Sequence, residues 1–430
     1  MSPSPGPAKI DRCRICGNAN LVSILDLGQQ YLTGVFPRSP AQPLARGPLE
    51  LVKCVTEKGS DVCGLVQLRH SCDPGELYGQ NYGYRSGLNH SMVEHLRGKV
   101  AGLRQLVPLR DDDLVLDIGS NDGTTLSFYP APSGPGKGGN LTLVGIDPTA
   151  GKFRQYYRPD IRVIADFFSA AAFAAAFPGR RARIVTSLAM FYDLDRPMAF
   201  MEQVRDVLAD NGVWHFEQSY LPLMLGRHAY DTVCHEHLSY YALRQIKWMT
   251  DRVGLKIIEL SQNDINGGSF AVTAAKTSAP YPEAASILGE MLDNETALGL
   301  DGLTPFQELE RFVLSHRARL LGLLRQLRSQ GKRVLGYGAS TKGNVILQYC
   351  GLTTEDLPCI ADLNPDKFGC VTPGTNIPIV SEAEAHKLKP DCFLVLPWHF
   401  RHGFLRREAA FLNSGGRMIF PLPELEFVPQ

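Results

Sequence analysis

Four short apolar runs, Leu114 to Ile118, Leu141 to Ile146, Ile161 to Ile164 and Ile184 to Thr186, each end beside small or acidic residues and read as buried strands. Helical spacing follows from Pro197 to Ala209, with Met198, Met201, Val204 and Val207/Leu208 on one face and Asn211-Gly212 as a stop. Such alternation predicts a parallel sheet flanked by helices. A further strand, Val213 to Phe216, runs into Glu217. Leu255 to Leu260 and Ser269 to Ala275, joined through Asn266-Gly267-Gly268, predict an antiparallel pair that closes the sheet. A long amphipathic helix, about Pro305 to Ser329, then leads into Arg333 to Tyr337, the first strand of a second α/β unit with strands at Cys359 to Ala361 and Cys392 to Leu396. Residues 1 to about 105, with the Pro/Gly-rich stretch Phe36 to Pro48, read as a small, loop-rich module, and Ala131 to Asn140 as a surface insertion.

A chain of 430 residues carries two or three domains. Lys plus Arg and Asp plus Glu are equal at 44 each, so no basic footprint for nucleic acid exists at whole-chain level. No run reaches the roughly 18 apolar residues of a membrane helix, and the expectation is a cytoplasmic protein without a membrane partner. Ten cysteines are too dilute for a disulfide scaffold.

Four of the ten lie early. Cys13-Arg-Ile-Cys16-Gly has the spacing of a zinc knuckle, in which a glycine turn lets two thiolates converge on one cation. Cys54 and Cys63 are the second pair, with Cys72 a fifth candidate. A closed set of four thiolates makes a structural zinc, against the bland reading of four unrelated buried thiols or a redox pair.

In Leu114-Val-Leu-Asp117-Ile-Gly119-Ser120-Asn121-Asp122-Gly123 a buried strand enters a glycine-rich turn, where open α/β sheets bind cofactors. The spacing is not that of a dinucleotide fingerprint, and Asp117 and Asp122 suit a cationic cofactor such as S-adenosylmethionine better than a pyrophosphate. Asp147 ends the second strand, where a carboxylate accepts both ribose hydroxyls. Asp166 and Phe167 end the third, placed to read adenine. The rival reading of each acid is a helix cap.

Tyr230 to Tyr241 gathers two histidines, two acids and three tyrosines. In His235-Glu236-His237 the two imidazoles point to opposite sides, so one faces the site and the other packs elsewhere. A neutral His held by a neighbour suits removal of a proton from carbon beside a carbonyl. The late turn Gly336-Tyr-Gly338-Ala-Ser-Thr-Lys342-Gly343 either cradles a diphosphate, with Lys342 on a phosphate, or is a Rossmann turn kept for packing.

Taken in order, the Cys13-x-x-Cys16-Gly start, Cys63-Gly-Leu-Val-Gln-Leu, Tyr78 to Ser86, Gly119 to Gly123, Glu236-His237, Asn266-Gly-Gly-Ser269 and Gly336 to Gly343 resemble the sugar C-methyltransferases that act on nucleotide-linked 4-keto deoxysugars. The resemblance spans nearly the whole chain. It implies an α/β protein: an S-adenosylmethionine-binding Rossmann-like domain over residues 106–300, a zinc-binding, substrate-covering module over 1–105, and a second Rossmann-like domain over 301–430 that helps enclose the sugar nucleotide. It further implies His237 as general base with Glu236 close by, Tyr82 and Tyr84 reaching towards cofactor and substrate, and Asn266 in the sugar pocket. Two departures border the acceptor: Cys234 stands where the family often has Tyr, and Ser187 to Asp193, with Ser187 beside the cofactor and Tyr192 beside the substrate, replaces an Asn- and His-containing loop.

The expected activity is therefore methyl transfer from S-adenosylmethionine to carbon of a keto sugar on a nucleoside diphosphate. The alternative is an O, N or non-sugar carbon acceptor; an inactive scaffold and an NAD-dependent oxidoreductase rank below. A small-molecule partner is expected, and a monomer is compatible with the pattern.

Overall fold

The computed structural model describes residues 7–55, 61–78, 82–132 and 140–429. At its centre a seven-stranded sheet runs in the order Leu255–Asn263, Ser269–Lys276, Leu208–Ser219, Ala182–Leu188, Leu114–Ile118, Thr142–Ile146, Arg162–Ile164. The last five are parallel, and Ser269–Lys276 runs antiparallel to both of its neighbours. Strand order reverses beside Leu114–Ile118, so the carboxyl end of that strand opens the crevice where ligands bind. All five of its residues are buried, as a strand covered on both faces requires.

Two expectations change here. Asn211-Gly212 do not stop a helix: they lie inside the twelve-residue strand Leu208–Ser219, at a register shift against Ala182–Leu188. A Cβ on Gly212 would lie 2.7 Å from the Ala182 carbonyl oxygen, so close approach of backbone accounts for the glycine. Nor is the first hundred residues' module loop-rich. Leu21–Tyr31 and Arg46–Cys54 form a long antiparallel pair, Val66–Leu68 adds to it, and a seventeen-residue helix spans His90–Leu106. The fourth strand of that sheet is Ser239–Tyr240, lent by the central histidine segment. The insertion expected at Ala131 to Asn140 falls mostly at 133–139, outside the described residues.

Helix Thr304–Ser329 buries Phe306, Leu309, Val313, Leu320, Leu324 and Leu327 on one stripe, as its spacing predicts. It packs on both Leu21–Tyr31 and Val334–Tyr337, tying the first module to the last. The last sheet has the order Ile379–Ser381, Ile360–Asp362, Val334–Tyr337, Cys392–Val395, Arg417–Phe420, Glu426–Val428, parallel except for its final strand. No helix among the described residues is long and apolar enough to cross a membrane.

Candidate active site

The sulfurs of Cys13, Cys16, Cys54 and Cys63 all lie within 4.8 Å of one another. Cys13–Cys63, Cys16–Cys54 and Cys16–Cys63 Sγ separations are 3.4, 3.6 and 3.5 Å. A tetrahedron with metal–sulfur bonds of about 2.3 Å needs edges near 3.8 Å, so the four thiols fit one zinc with no open position. Gly17, at φ +71°, turns the knuckle and its N–H donates to the Cys13 carbonyl at 3.0 Å, while Asn18 Nδ2 donates to Cys54 Sγ at 3.3 Å. Between the first two ligands, the buried Arg14 guanidinium donates to the Leu68 carbonyl (2.6 Å), Ser71 Oγ (2.8 Å) and Asp195 Oδ1 (3.2 Å). Asp195 lies on the wall of the cofactor cavity, so the metal module is pinned to the central domain there.

That cavity, about 280 Å³, opens over the carboxyl end of Leu114–Ile118. Asp117, Gly119, Ser120, Asn121, Asp147 and Phe167 line it, as do Tyr82 and Tyr84. Gly119 sits at φ +74°, and a Cβ there would meet Met190 at 3.0 Å, so only glycine keeps the turn open to a ligand. Asp147 accepts from Asn121 N–H at 2.9 Å and from Thr149 N–H and Oγ1 at 2.6 and 2.5 Å. Burial pushes the Asp117 carboxyl up to about 7, against the Thr186 hydroxyl donating to it at 2.5 Å. The Phe167 ring, half exposed on the rim, offers a face for a flat heterocycle. This wall fits an adenosyl cofactor.

Four expected cofactor residues lie outside the lining. Asp122 is buried beneath the first module and accepts from Gly87 N–H at 2.9 Å and Thr124 Oγ1 at 2.6 Å, clamping that module onto the turn. Gly123 makes room for the Tyr157 ring, 2.6 Å from where a Cβ would stand. Asp166 is exposed and accepts from Phe167 N–H, and the Ser187 hydroxyl is taken by Trp214 Nε1 at 2.9 Å.

The two imidazoles of the central segment diverge. His235 is buried with Nε2 3.2 Å from the Gly47 carbonyl, and burial brings it down to about 4. His237 is half-buried; its Nδ1 lies 2.9 Å from the Thr232 carbonyl, which fixes N–H there and leaves Nε2 as a proton acceptor. Burial and the nearby Lys342 ammonium lower it to about 3. The imidazole is not on the wall of the 280 Å³ cavity: the Tyr192 ring packs edge-on against it, centroids 4.4 Å apart. Burial raises the Glu236 carboxyl, which accepts from Thr33 Oγ1 at 3.4 Å. It packs on Gly34 so closely that a Cβ there would stand 2.1 Å from Oε1.

A second cavity, about 1130 Å³, lies between the central and last sheets. Gly338, Ala339, Ser340, Asp362 and His399 line it, with Arg406 and Arg407. Lys342 lies outside this wall and donates to the Asn266 carbonyl at 2.6 Å. The two cavities share His95, Ile265 and Asn266. His95 Nε2 is 2.5 Å from Glu217 Oε1, and Glu217 also accepts from Lys99 at 2.6 Å and Asn263 at 2.7 Å. Burial would raise the Glu217 carboxyl, but His95 and Lys99 bring it down to about 2. The sequence reading passed over His95, Lys99, Arg406 and Arg407. Glu217 was visible as an acid at a strand's carboxyl end; its cationic partners come from helix His90–Leu106, and no local pattern announces them.

Three family models match consecutive parts of the chain: "Putative zinc binding domain" over residues 13–78, "Methyltransferase domain" over 92–260 and "C-methyltransferase C-terminal domain" over 264–423. The C-methyltransferase NovU of Streptomyces niveus is 31% identical over 418 residues, 96% of each chain. Among solved structures, a methyltransferase in complex with the Trm112 activator of Haloferax volcanii matches at TM-score 0.34 and 14% identity, over 43% of this chain and 92% of that one. The plantazolicin methyltransferase BpumL, in complex with SAH, matches at TM-score 0.33 and 10% identity, over 43% and 84%. A relative of that identity along almost the whole length, a thiol cluster shaped for zinc and an adenosyl cavity at the switch point agree: the chain belongs to the S-adenosylmethionine-dependent C-methyltransferases.

Proposed function

We propose that the acceptor is a keto sugar carried on a nucleoside diphosphate, methylated at the carbon beside its carbonyl. The observation that carries this is the junction of the two cavities at His95, Ile265 and Asn266. At these shared residues a ligand in the larger cavity lies beside the wall of the cofactor cavity. The larger wall suits a nucleotide: a glycine turn at the start of helix Thr341–Cys350 and two arginines are groups that bind phosphate.

S-adenosylmethionine supplies an electrophilic methyl group when bound in the smaller cavity. A base, His237 by the resemblance although its imidazole lines neither cavity, takes the proton from carbon, and the C–H electron pair moves onto the carbonyl oxygen. With the cofactor held by Asp117, Asp147 and Phe167, the enolate carbon would be the nucleophile for the methyl group it supplies. Tyr82 and Tyr84 close the cavity from the first module, Tyr192 orients His237, and Lys342 holds the Asn266 loop. Asp117, Asp147 and Phe167 hold the cofactor. Domain limits at 1–105, 106–300 and 301–430 and a cytoplasmic place of work belong to the same proposal.

A second reading of the base has its own support, since His95, held by Glu217, lines both cavities. His237→Asn and His95→Asn separate the two. Purified variants are mixed with labelled cofactor and a panel of nucleotide-linked keto sugars, and products are weighed by mass spectrometry. His237→Asn is expected to bind S-adenosylhomocysteine normally yet yield no methylated product, with His95→Asn keeping measurable turnover. The reverse outcome moves the base to His95, and a wild type that methylates none of the panel rejects the acceptor class.

A further inference from the structure

We infer that helix Thr341–Cys350 couples the nucleotide cavity to the acid–base segment, with Asn344 and Gln348 as the positioning residues that carry the coupling. The inference rests on the nucleotide-linked acceptor proposed above and says how the nucleotide contributes to turnover. The helix begins where Gly338, Ala339 and Ser340 line the larger cavity, and Ser340 Oγ caps it by accepting from Gly343 N–H at 3.0 Å. A diphosphate seated on that turn bears on the first turn of the helix.

One face of this helix grips the first module. Thr341, Asn344 and Gln348, three and four residues apart, meet Gly34, Thr33 and Tyr31 in turn. Asn344 Nδ2 donates to the Thr33 carbonyl at 2.7 Å. The Gln348 amide accepts from Tyr31 N–H at 2.8 Å and donates to the Tyr31 carbonyl at 3.1 Å, as a neighbouring strand would. Gly374 closes over that pair: a Cβ there would stand 2.6 Å from the Tyr31 ring and 2.8 Å from Gln348 Oε1. Thr33 and Gly34 in turn seat Glu236, the neighbour of His237. Towards the central domain, Lys342 holds the Asn266 carbonyl at the junction of the two cavities. One ten-residue helix therefore touches the nucleotide turn, the cavity junction and the seat of Glu236.

Adhesion between domains does not require this arrangement. Val345, Ile346 and Leu347 are fully buried and supply apolar contact, whereas Asn344, also 0% exposed, places a buried amide on one carbonyl. A buried polar group costs stability unless paired, and once paired it fixes direction. Binding of the non-reacting part of a substrate raises kcat where it orients the reacting centre, and this helix gives the nucleotide a path to do so.

Steady-state methylation separates coupling from adhesion. The full-length protein and its Asn344→Leu and Gln348→Met variants are assayed at saturating S-adenosylmethionine. The acceptors are thymidine- and uridine-diphosphate 4-keto-6-deoxyglucose and 4-keto-6-deoxyglucose 1-phosphate, which lacks the nucleoside. Wild type is expected to show a kcat on a sugar nucleotide higher by on the order of 10²-fold than on the 1-phosphate. Each variant should lose most of that ratio: kcat on the nucleotide falls on the order of 10-fold, while its KM and the calorimetric Kd for S-adenosylhomocysteine stay within about twofold. Gln348 is half-buried, so Gln348→Met carries the test where Asn344→Leu fails to fold. Wild-type kcat in both variants, or losses confined to KM, overturn the coupling alone, as does a wild type whose kcat is the same or higher without the nucleoside. A wild type that methylates none of the three overturns the acceptor reading, and the coupling with it.

Discussion

Gly34→Ala isolates the contact that seats Glu236. The new Cβ would stand 2.1 Å from Oε1 and 3.4 Å from Cδ of Glu236, with Thr341 Oγ1 at 3.6 Å on another side. The carboxyl must retreat by roughly 1 Å or more to reach an ordinary contact. Because Glu236 is 8% exposed and held by Thr33, it has no free direction in which to go. Overpacking of this kind costs typically 1–3 kcal/mol, and about 2 is expected here. A double-mutant cycle supplies the assay: urea unfolding of wild type, Gly34→Ala, Glu236→Ala and the double variant, comparing midpoints of the same transition. With Glu236 truncated the clash is gone, and the alanine should cost less than about 0.5 kcal/mol, leaving most of the effect as coupling. Gly98→Ala is the control: it lies exposed in helix His90–Leu106 with nothing within 4 Å of the new atom, and should stabilise slightly. Methylation should fall on the order of 10²-fold in Gly34→Ala, since a shift of about 1 Å beside the base misplaces it. Wild-type midpoint and turnover in Gly34→Ala, or equal costs in both backgrounds, would refute the packing argument.

Two further perturbations address the metal and the base. Cys63→Ser, or a strong chelator, should remove one bound zinc per chain in a colorimetric assay and lower the midpoint of thermal unfolding; retention of the metal would show that Cys63 is not a ligand. With His237 at about 3, the imidazole stays neutral above pH 5, and no inflection near 6.5 should mark the acid side of the pH–rate profile. Its folded value lies below the unfolded one, so its contribution to stability is fully present above about pH 6.5 and is lost as pH falls towards 3. Lys342→Met removes one of the two causes of that depression and should move the imidazole upward in an NMR titration; an unmoved resonance would leave burial as the whole cause.

Much of this molecule is legible in its residues because local rules suffice for it. Buried strands of a parallel sheet are continuous apolar runs, so Leu114–Ile118 and its neighbours stand out, and the amphipathic helix Thr304–Ser329 follows from spacing alone. Cys13, Cys16, Cys54 and Cys63 are a ligand set by residue type and turn chemistry, and Gly119 marks the cofactor turn because a side chain there has no room. Tertiary structure decided what depends on long-range pairing. Leu21–Tyr31 escapes pattern reading because two register shifts, at Ser23/Leu25 and Asp26/Gln29, break its alternation. Ser239–Tyr240 is too short to read as a strand and becomes one only against Val66–Leu68. The same holds for chemistry: Asp122, Gly123 and Ser187 carry the right residue types, but packing turned them to other partners. His95 reached the cavities, and Tyr78 came to face Asp193, only because the first module folds down over the central sheet. Residue type states what a side chain can do, and the burial and direction that the fold imposes decide which of those capacities it exercises.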